Sequence, residues 1–345
     1  MVIDQQSLDR LEAMLDGGPK KIVVVSHTNP DGDAIGSSLA WRRILEKKGH
    51  DARCVVPNKY PYFLDWMADI SKVGVFKEDT SGEIARFIGE ADLIFCLDFN
   101  LIGRLEGLGS TIEANTRAKC VLIDHHLDPP AGFDLVFSYP QECSTSYIVY
   151  KLIERYSGLA MLDYPAAEAL YVGIMTDTGN FSYSNLSADL FRAVAHLVEK
   201  GVDIPFINTA IYNGFSESRV RLLGYALNDN MTVMRDYGVG FIMLRESELR
   251  RFRFLPGDSE GFVNYPLSIK GVRMSAMFLE TRQFIRVSLR SRGDVDVNVF
   301  ARKYFGGGGH RNAAGGKSFV DMAATVEHFR AAVREFFGPA EDDRK

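Results

Sequence analysis

The chain lacks any apolar run approaching the roughly 18–20 residues that a bilayer-spanning helix needs. Paired cysteines are also missing. Cys54, Cys96, Cys120 and Cys143 lie far apart with no C-x-x-C spacing, and three of them sit in strand-like runs. That excludes a disulfide framework and predicts reduced thiols in the core. There is no surplus of basic charge: the net charge is -5 and the sequence pI about 5.9. Indiscriminate binding to long duplex DNA takes a basic surface and is therefore not expected. The opening "MVIDQQSLDRLEAML" has early acids and no signal-type apolar core, so a cytoplasmic location is the expectation. No internal repeat occurs, and the one low-complexity tract is the glycine run Gly306–Gly309.

What is present is the composition of a globular protein, 46% hydrophobic and 25% charged, in 345 residues, a length that suits two domains. The first half alternates strands and helices. "KIVVV" (21–25), "ARCVV" (52–56), "DLIFCLD" (92–98) and "KCVLID" (119–124) are apolar runs of the kind buried on both faces of a parallel sheet. The segment 33–49 has helical spacing and closes on Gly49, and helical stretches follow at 144–156, 165–175 and 188–201. The second half reads as hairpins at 231–244 and 272–291, a helix at 296–305 and a last helix near 322–336. The expected fold class is α/β: a parallel-sheet domain over 1–186, a helical connector over 187–228, a smaller mixed-sheet α/β domain over 229–338 and a tail at 339–345.

The chemistry gathers at strand ends. "SHTNPDGDAIGS" places His27, Asp31 and Asp33 just after the first strand. "CLD" ends on Asp98, "LIDHH" on Asp124, His125 and His126, and "GIMTDTGNF" adds Asp177. In open parallel sheets, ligand sites lie beyond the carboxyl ends of the strands. Any one of these acids alone reads as a helix N-cap, and His27 alone as a hydrogen-bonded core histidine. Five Asp and three His at one edge ask for more. Packed without a cation, the acids would repel and some would be forced to hold protons. Two divalent ions resolve that, and a carboxylate–imidazole set suits Mn2+, with Mg2+, Co2+ or Zn2+ as alternatives. Such a pair, about 3.5–4 Å apart, activates water and stabilises charge on a phosphoryl group.

These four motifs, with "FGGGGHRNAAGG" at 305–316, resemble the DHH phosphoesterase family with its type-one DHH-associated second domain. The resemblance covers nearly the whole chain and points to the group that degrades very short RNA and 3′-phosphoadenosine 5′-phosphate. It implies that His27 and Asp31 hold one metal, that Asp33, His125 and Asp177 hold the second, and that Asp98 bridges them. His126 would bind the substrate phosphate or protonate the leaving oxygen, and Asp124 would orient the histidine pair, so that His126, Asp98 and Asp124 are the expected catalytic groups. The implied activity is hydrolysis of very short oligoribonucleotides to mononucleotides, of 3′-phosphoadenosine 5′-phosphate to AMP, or both. The alternatives are a phosphodiesterase for cyclic or linear dinucleotides, such as cyclic di-AMP and its linear product, and a nucleotide-binding regulator without turnover. A pyrophosphatase or polyphosphatase fits less well, because related pyrophosphatases carry a different second domain. The oligomeric state stays open, with a homodimer allowed.

The second half supplies candidate substrate contacts. In Gly306–Gly309, glycines let backbone N–H groups come close to an anion, and His310 and Arg311 add donors and charge. The segment 282–311 holds seven Arg or Lys against two Asp, and Arg286, Ser288, Arg290 and Arg292 alternate along a strand and so share one face. The expected substrate-binding set is Ser288, Arg290, Gly307, Gly308, Gly309, His310 and Arg311, together with Arg104 soon after Asp98. Ser144 and Thr145 read as N-caps of the helix they precede.

Overall fold

The computed structural model describes residues 2–127, 131–182 and 185–338; Tyr183, a conceivable base-stacking aromatic, and the tail 339–345 fall outside them. The chain divides into two compact units, Met1–Gly214 and Phe215–Lys345. The expected connector 187–228 is helical, and its helices are distributed between the two units.

The first unit contains, in chain order, α1 (Gln5–Leu15), β1 (Lys21–Val25), α2 (Gly32–Lys47), β2 (Asp51–Val56), β3 (Gly74–Val75), α3 (Glu83–Glu90), β4 (Leu93–Leu97), α4 (Gly107–Glu113), β5 (Lys119–Asp124), β6 (Leu135–Ser138), α5 (Thr145–Tyr156), α6 (Tyr164–Asp177), α7 (Ala188–Glu199) and α8 (Ile204–Asn208). The strands form one sheet in the order β3-β2-β1-β4-β5-β6, and every neighbouring pair is parallel. Both faces are covered, as the continuous apolar runs require. Along β1, Ile22 and Val24 join the core beneath α2, α5 and α6, while Val23 and Val25 join the one beneath α3 and α4. Strand order reverses at β1, whose neighbours β2 and β4 lead off in opposite directions, and this opens a crevice at the carboxyl edge.

Helix α2 lies close against α6 because Gly36 faces the α6 backbone. A Cβ on Gly36 would stand 2.3 Å from the Ala169 carbonyl oxygen. The thiols behave as the sequence suggests: all four are free, and Cys54, Cys96 and Cys143 are buried.

The second unit holds α9 (Glu217–Asn228), β7 (Met231–Met234), β8 (Val239–Leu244), α10 (Glu246–Arg251), β9 (Met274–Glu280), β10 (Ile285–Ser291), α11 (Val297–Phe305), β11 (Gly308–His310), β12 (Ala313–Ser318) and α12 (Met322–Phe337). Its separate mixed sheet runs β11-β12-β10-β9-β8-β7 and is antiparallel except between β8 and β9. Both expected hairpins are present, β7–β8 and β9–β10. One face packs Phe241, Phe278, Val287 and Leu289 against Phe300 of α11 and Phe329 of α12. The other face of β8 and β9 is covered by Leu222 of α9 and by Phe262. Burial alternates along β10, leaving Arg286, Ser288 and Arg290 half-buried on that second face. Among the described residues, no helix is long and apolar enough to cross a membrane.

Candidate metal centre

Each expected ligand sits where a regular element stops. Beyond β1, Asp31 is the N-cap of α2 and accepts from the N–H groups of Asp33 and Ala34 through Oδ1, at 3.0 and 3.1 Å. Asp33, in the first turn of α2, points elsewhere. Its carboxylate accepts the Thr145 and Ser146 N–H groups at 2.7 and 2.8 Å, so it caps α5 from 112 residues away. Asp98 follows β4 with φ +65°, a left-handed conformation that Asp visits more readily than most residues. Backbone strain of this kind concentrates at functional sites. Asp124 is the last residue of β5, and Asp177 the last of α6.

The side chains converge. His27 Nε2 lies 3.4 Å from Asp98 Oδ2, and His125 Nε2 lies 3.4 Å from both Asp98 Oδ1 and Asp177 Oδ2 and 3.9 Å from Asp33 Oδ2. Within the first unit, three groups of described residues have ligand atoms within 4.8 Å of one another: His27, Asp31 and Asp98; Asp33, His125 and Asp177; and Asp98, Asp124 and His126. Asp98 belongs to two of these groups and touches the third through His125. The adjacent histidines diverge, with ring planes 79° apart. His126 Nδ1 is 2.7 Å from Asp124 Oδ1, whereas His125 Nδ1 is 3.3 Å from the Glu142 carbonyl oxygen. Asp124 therefore orients His126, and the Glu142 carbonyl orients His125. His27 Nδ1 likewise meets a carbonyl, that of Thr28, at 3.0 Å. With Nδ1 engaged in each ring, Nε2 becomes the nitrogen for coordination or proton transfer.

The electrostatics call for a cation. Burial pushes the Asp33 carboxyl well above its usual range, and the charges of Asp98 and Asp177 push the same way. Burial would raise Asp98 too, but hydrogen bonds from His125 and His27 and the charge of the histidines outweigh it and hold Asp98 well below the usual range. Burial disfavours a charged His125, yet Asp177, Asp98 and Asp33 together raise its pKa well above the histidine norm. Among the described residues, the ion-pair partners of Asp33 and Asp98 are histidines. The buried Asp124 Oδ2 has no hydrogen-bond partner among the described residues. An oxygen–imidazole donor set, the buried Asp33 and Asp98 with histidines as their ion-pair partners among the described residues, and that orphaned oxygen fit divalent metal ions.

Several contributors were not evident in the sequence. The Thr145 hydroxyl donates to Asp98 Oδ1 at 3.0 Å, while Ser144 is the actual N-cap of α5. A Cβ on Gly173 would stand 1.9 Å from Ser146 Oγ and 2.8 Å from Asp33 Oδ1. Asn29, with φ +56°, is tied to Asn58, accepting from its amide and donating its N–H at 2.7 Å.

In the second unit, the register aligns Arg290 with Ala313 and Ala313 with His310, and Ser288 with Gly315 and Gly315 with Gly308. Directly opposed residues share a face, so Ser288, Arg290, Gly308 and His310 lie on one side of the sheet. The glycine run departs from expectation. A Cβ on Gly307 would lie 1.8 Å from the Gly315 carbonyl oxygen, and one on Gly309 would lie 2.4 Å from that of Ala313. Their small size serves the close approach of β11 to β12. The Gly309 N–H is donated to Asn298 Oδ1 at 3.0 Å, so it is not held open for an anion. Arg311 pairs with Asp294 at 3.1 Å. Arg104 lies on a 3-10 turn, Ile102–Leu105, and its side chain is outside the described residues.

A doubly covered parallel sheet with a carboxylate–imidazole centre at its switch point, followed by a separate mixed-sheet unit, defines a class of two-domain metal-site proteins. Residues 21–174 match the DHH family, N-terminal domain, and residues 247–338 the DHHA1 domain. The chain is 30% identical over 317 residues to the bifunctional oligoribonuclease and PAP phosphatase NrnA of Thermus thermophilus, covering 91% of this chain and 89% of that one. It is 27% identical over 333 residues to the cyclic-di-AMP phosphodiesterase PdeA of Listeria monocytogenes, but there it spans only 48% of the relative. The crystal structure of an exopolyphosphatase-related protein from Bacteroides fragilis superposes with a TM-score of 0.91 at 38% identity, covering 97% of each chain. The chain belongs to the DHH family.

Proposed function

We propose that this protein is a Mn2+-dependent phosphoesterase that cleaves very short oligoribonucleotides to mononucleotides and releases phosphate from 3′-phosphoadenosine 5′-phosphate. The carrying observation is Asp98: its two oxygens face the His27 and His125 sides of a buried acid–imidazole cluster. The relatives that match over most of their length bear names for this pair of activities, which supports the substrate choice.

His27, Asp31 and Asp98 would hold one ion, and Asp33, His125, Asp177 and Asp98 the other. Bound there, divalent metal supplies a lowered pKa for attacking water and neutralises charge on the phosphoryl oxygens. The chain's own groups do the rest. His126, fixed through Nδ1 by Asp124, has Nε2 to hold the phosphate or deliver a proton to the leaving oxygen. Ser288, Arg290, Gly308 and His310 offer a phosphate-binding sheet face, with Arg311 at its edge and Arg104 as a further cation. Gly307 and Gly309 let β11 lie against β12 and so shape that face.

The test compares a 5′-phosphorylated RNA dinucleotide with 3′-phosphoadenosine 5′-phosphate under Mn2+. Both should turn over, and Asp98→Ala should lose on the order of a thousandfold, the several kcal/mol a metal ion contributes. Turnover of cyclic di-AMP or polyphosphate in place of both would replace this substrate assignment.

A further inference from the structure

Asp98 is held by a residue outside the four acid-bearing motifs. Thr145, the first residue of α5, is fully buried. Its hydroxyl donates to Asp98 Oδ1 at 3.0 Å and its N–H to Asp33 Oδ2 at 2.7 Å. One residue thus touches two carboxylates of the cluster.

For Asp98, what matters is rotation. The φ of +65° aims the side chain. It does not choose the angle of the carboxylate about its last bond, a broad torsion with roughly two-fold preference. Sharing the group between two ligand sets needs Oδ1 on the His125 side and Oδ2 on the His27 side, the arrangement seen at 3.4 Å to each ring. Once the Nε2 atoms of these histidines coordinate cations, they stop donating to Asp98. The Thr145 hydroxyl is a donor that coordination does not consume. A carboxylate oxygen has room to accept this hydrogen bond and still serve as a ligand.

We propose that Thr145 is a positioning residue that sets the Asp98 carboxylate so that it can be shared between the two ligand groups. This rests on the metal-dependent reading above. Serine keeps the hydroxyl and loses the methyl; valine keeps the shape and loses the donor.

The experiment titrates Mn2+ into the full-length wild type, Thr145→Val and Thr145→Ser by calorimetry, and melts each protein with chelator and with saturating Mn2+. The wild type should bind two ions and Thr145→Ser should match it. Thr145→Val should bind at least one ion about 10- to 100-fold more weakly, the usual effect of losing a residue that orients a ligand. Its melting temperature in chelator should hold, while the rise on adding Mn2+ should shrink. A purely structural Thr145 would lower the melting temperature in chelator and leave Mn2+ affinity intact, which overturns the proposal. Equal weakening in Thr145→Ser overturns it too, because the hydroxyl is retained there. Should the valine variant fail to fold, Thr145→Ala against Thr145→Ser carries the same comparison. A wild type that binds no Mn2+ sinks the functional reading itself, and this proposal with it.

Discussion

In the first unit the functional groups arrive from the ends of β1, β4, β5 and α6 and meet only because the sheet brings those ends to one edge. In the second, Arg286, Ser288 and Arg290 follow one another along β10, and the pleat alone puts them on one face. The candidate metal centre is therefore a property of the topology, while the sheet face is a property of one strand and its register. Disturbance should spread through the first and stay local in the second.

After Asp98→Ala, the largest effect should come from a position that carries no chemistry. Gly173→Ala places a methyl against Ser146 and Asp33. It should cost about 1–3 kcal/mol in stability through overpacking and about a hundredfold in kcat/KM by misplacing Asp33. Gly89→Ala on α3, where nothing lies within 4 Å of the added carbon, is the control and should lower neither, since alanine suits a helix better than glycine. Thermal melts and steady-state kinetics on the same preparations decide it.

Arg290→Ala should act smaller and more narrowly. Losing a charge-assisted contact to phosphate, about 1.5–3 kcal/mol, should raise KM roughly tenfold to a hundredfold with kcat and Mn2+ affinity kept. A fall in Mn2+ affinity would erase the contrast between the units.

The smallest effect is a drift with pH in chelator-treated protein. His125, with its pKa raised by Asp177, Asp98 and Asp33 against the opposing effect of burial, stabilises the metal-free fold at acid pH and loses that contribution as pH rises through its raised value. Asp33, raised by burial, penalises the fold as pH climbs from the usual carboxylate range toward its own pKa. Asp98, depressed, contributes above the usual carboxylate range and is lost only in stronger acid. The melting temperature of the metal-free protein should fall from neutral to alkaline pH. Mn2+ should remove that slope, since it takes the ligands deprotonated.

How much of this was legible in the sequence follows the same division. The acids and histidines could be found because strand ends announce themselves: an apolar run stops and polar residues begin. The alternation on β10 was legible for the same local reason. The part played by α5 was not. "STSY" reads as a cap, and nothing nearby says that its N–H groups receive Asp33 from 112 residues away. Gly36 carries no sign in the sequence of the α6 backbone that lies against it, nor Gly173 of the Ser146 and Asp33 side chains it makes room for. The glycine run misled in the opposite sense. Its composition suggested an anion cradle, whereas Gly307 and Gly309 are small because β12 lies against them and Gly309 gives its N–H to Asn298. Strands as short as β3 and β6, two and four residues, left too little pattern to read.

Asp33 and Asp98 are sunk in the fold with histidines as their ion-pair partners. A cation that binds only the folded form adds about 2.7 kcal/mol when present at a hundred times its dissociation constant. On the proposed function, the supply of divalent metal in the cell would then govern how long each copy of the chain survives proteolysis as well as how fast it turns over. Scarcity would thin the population before it slowed the survivors.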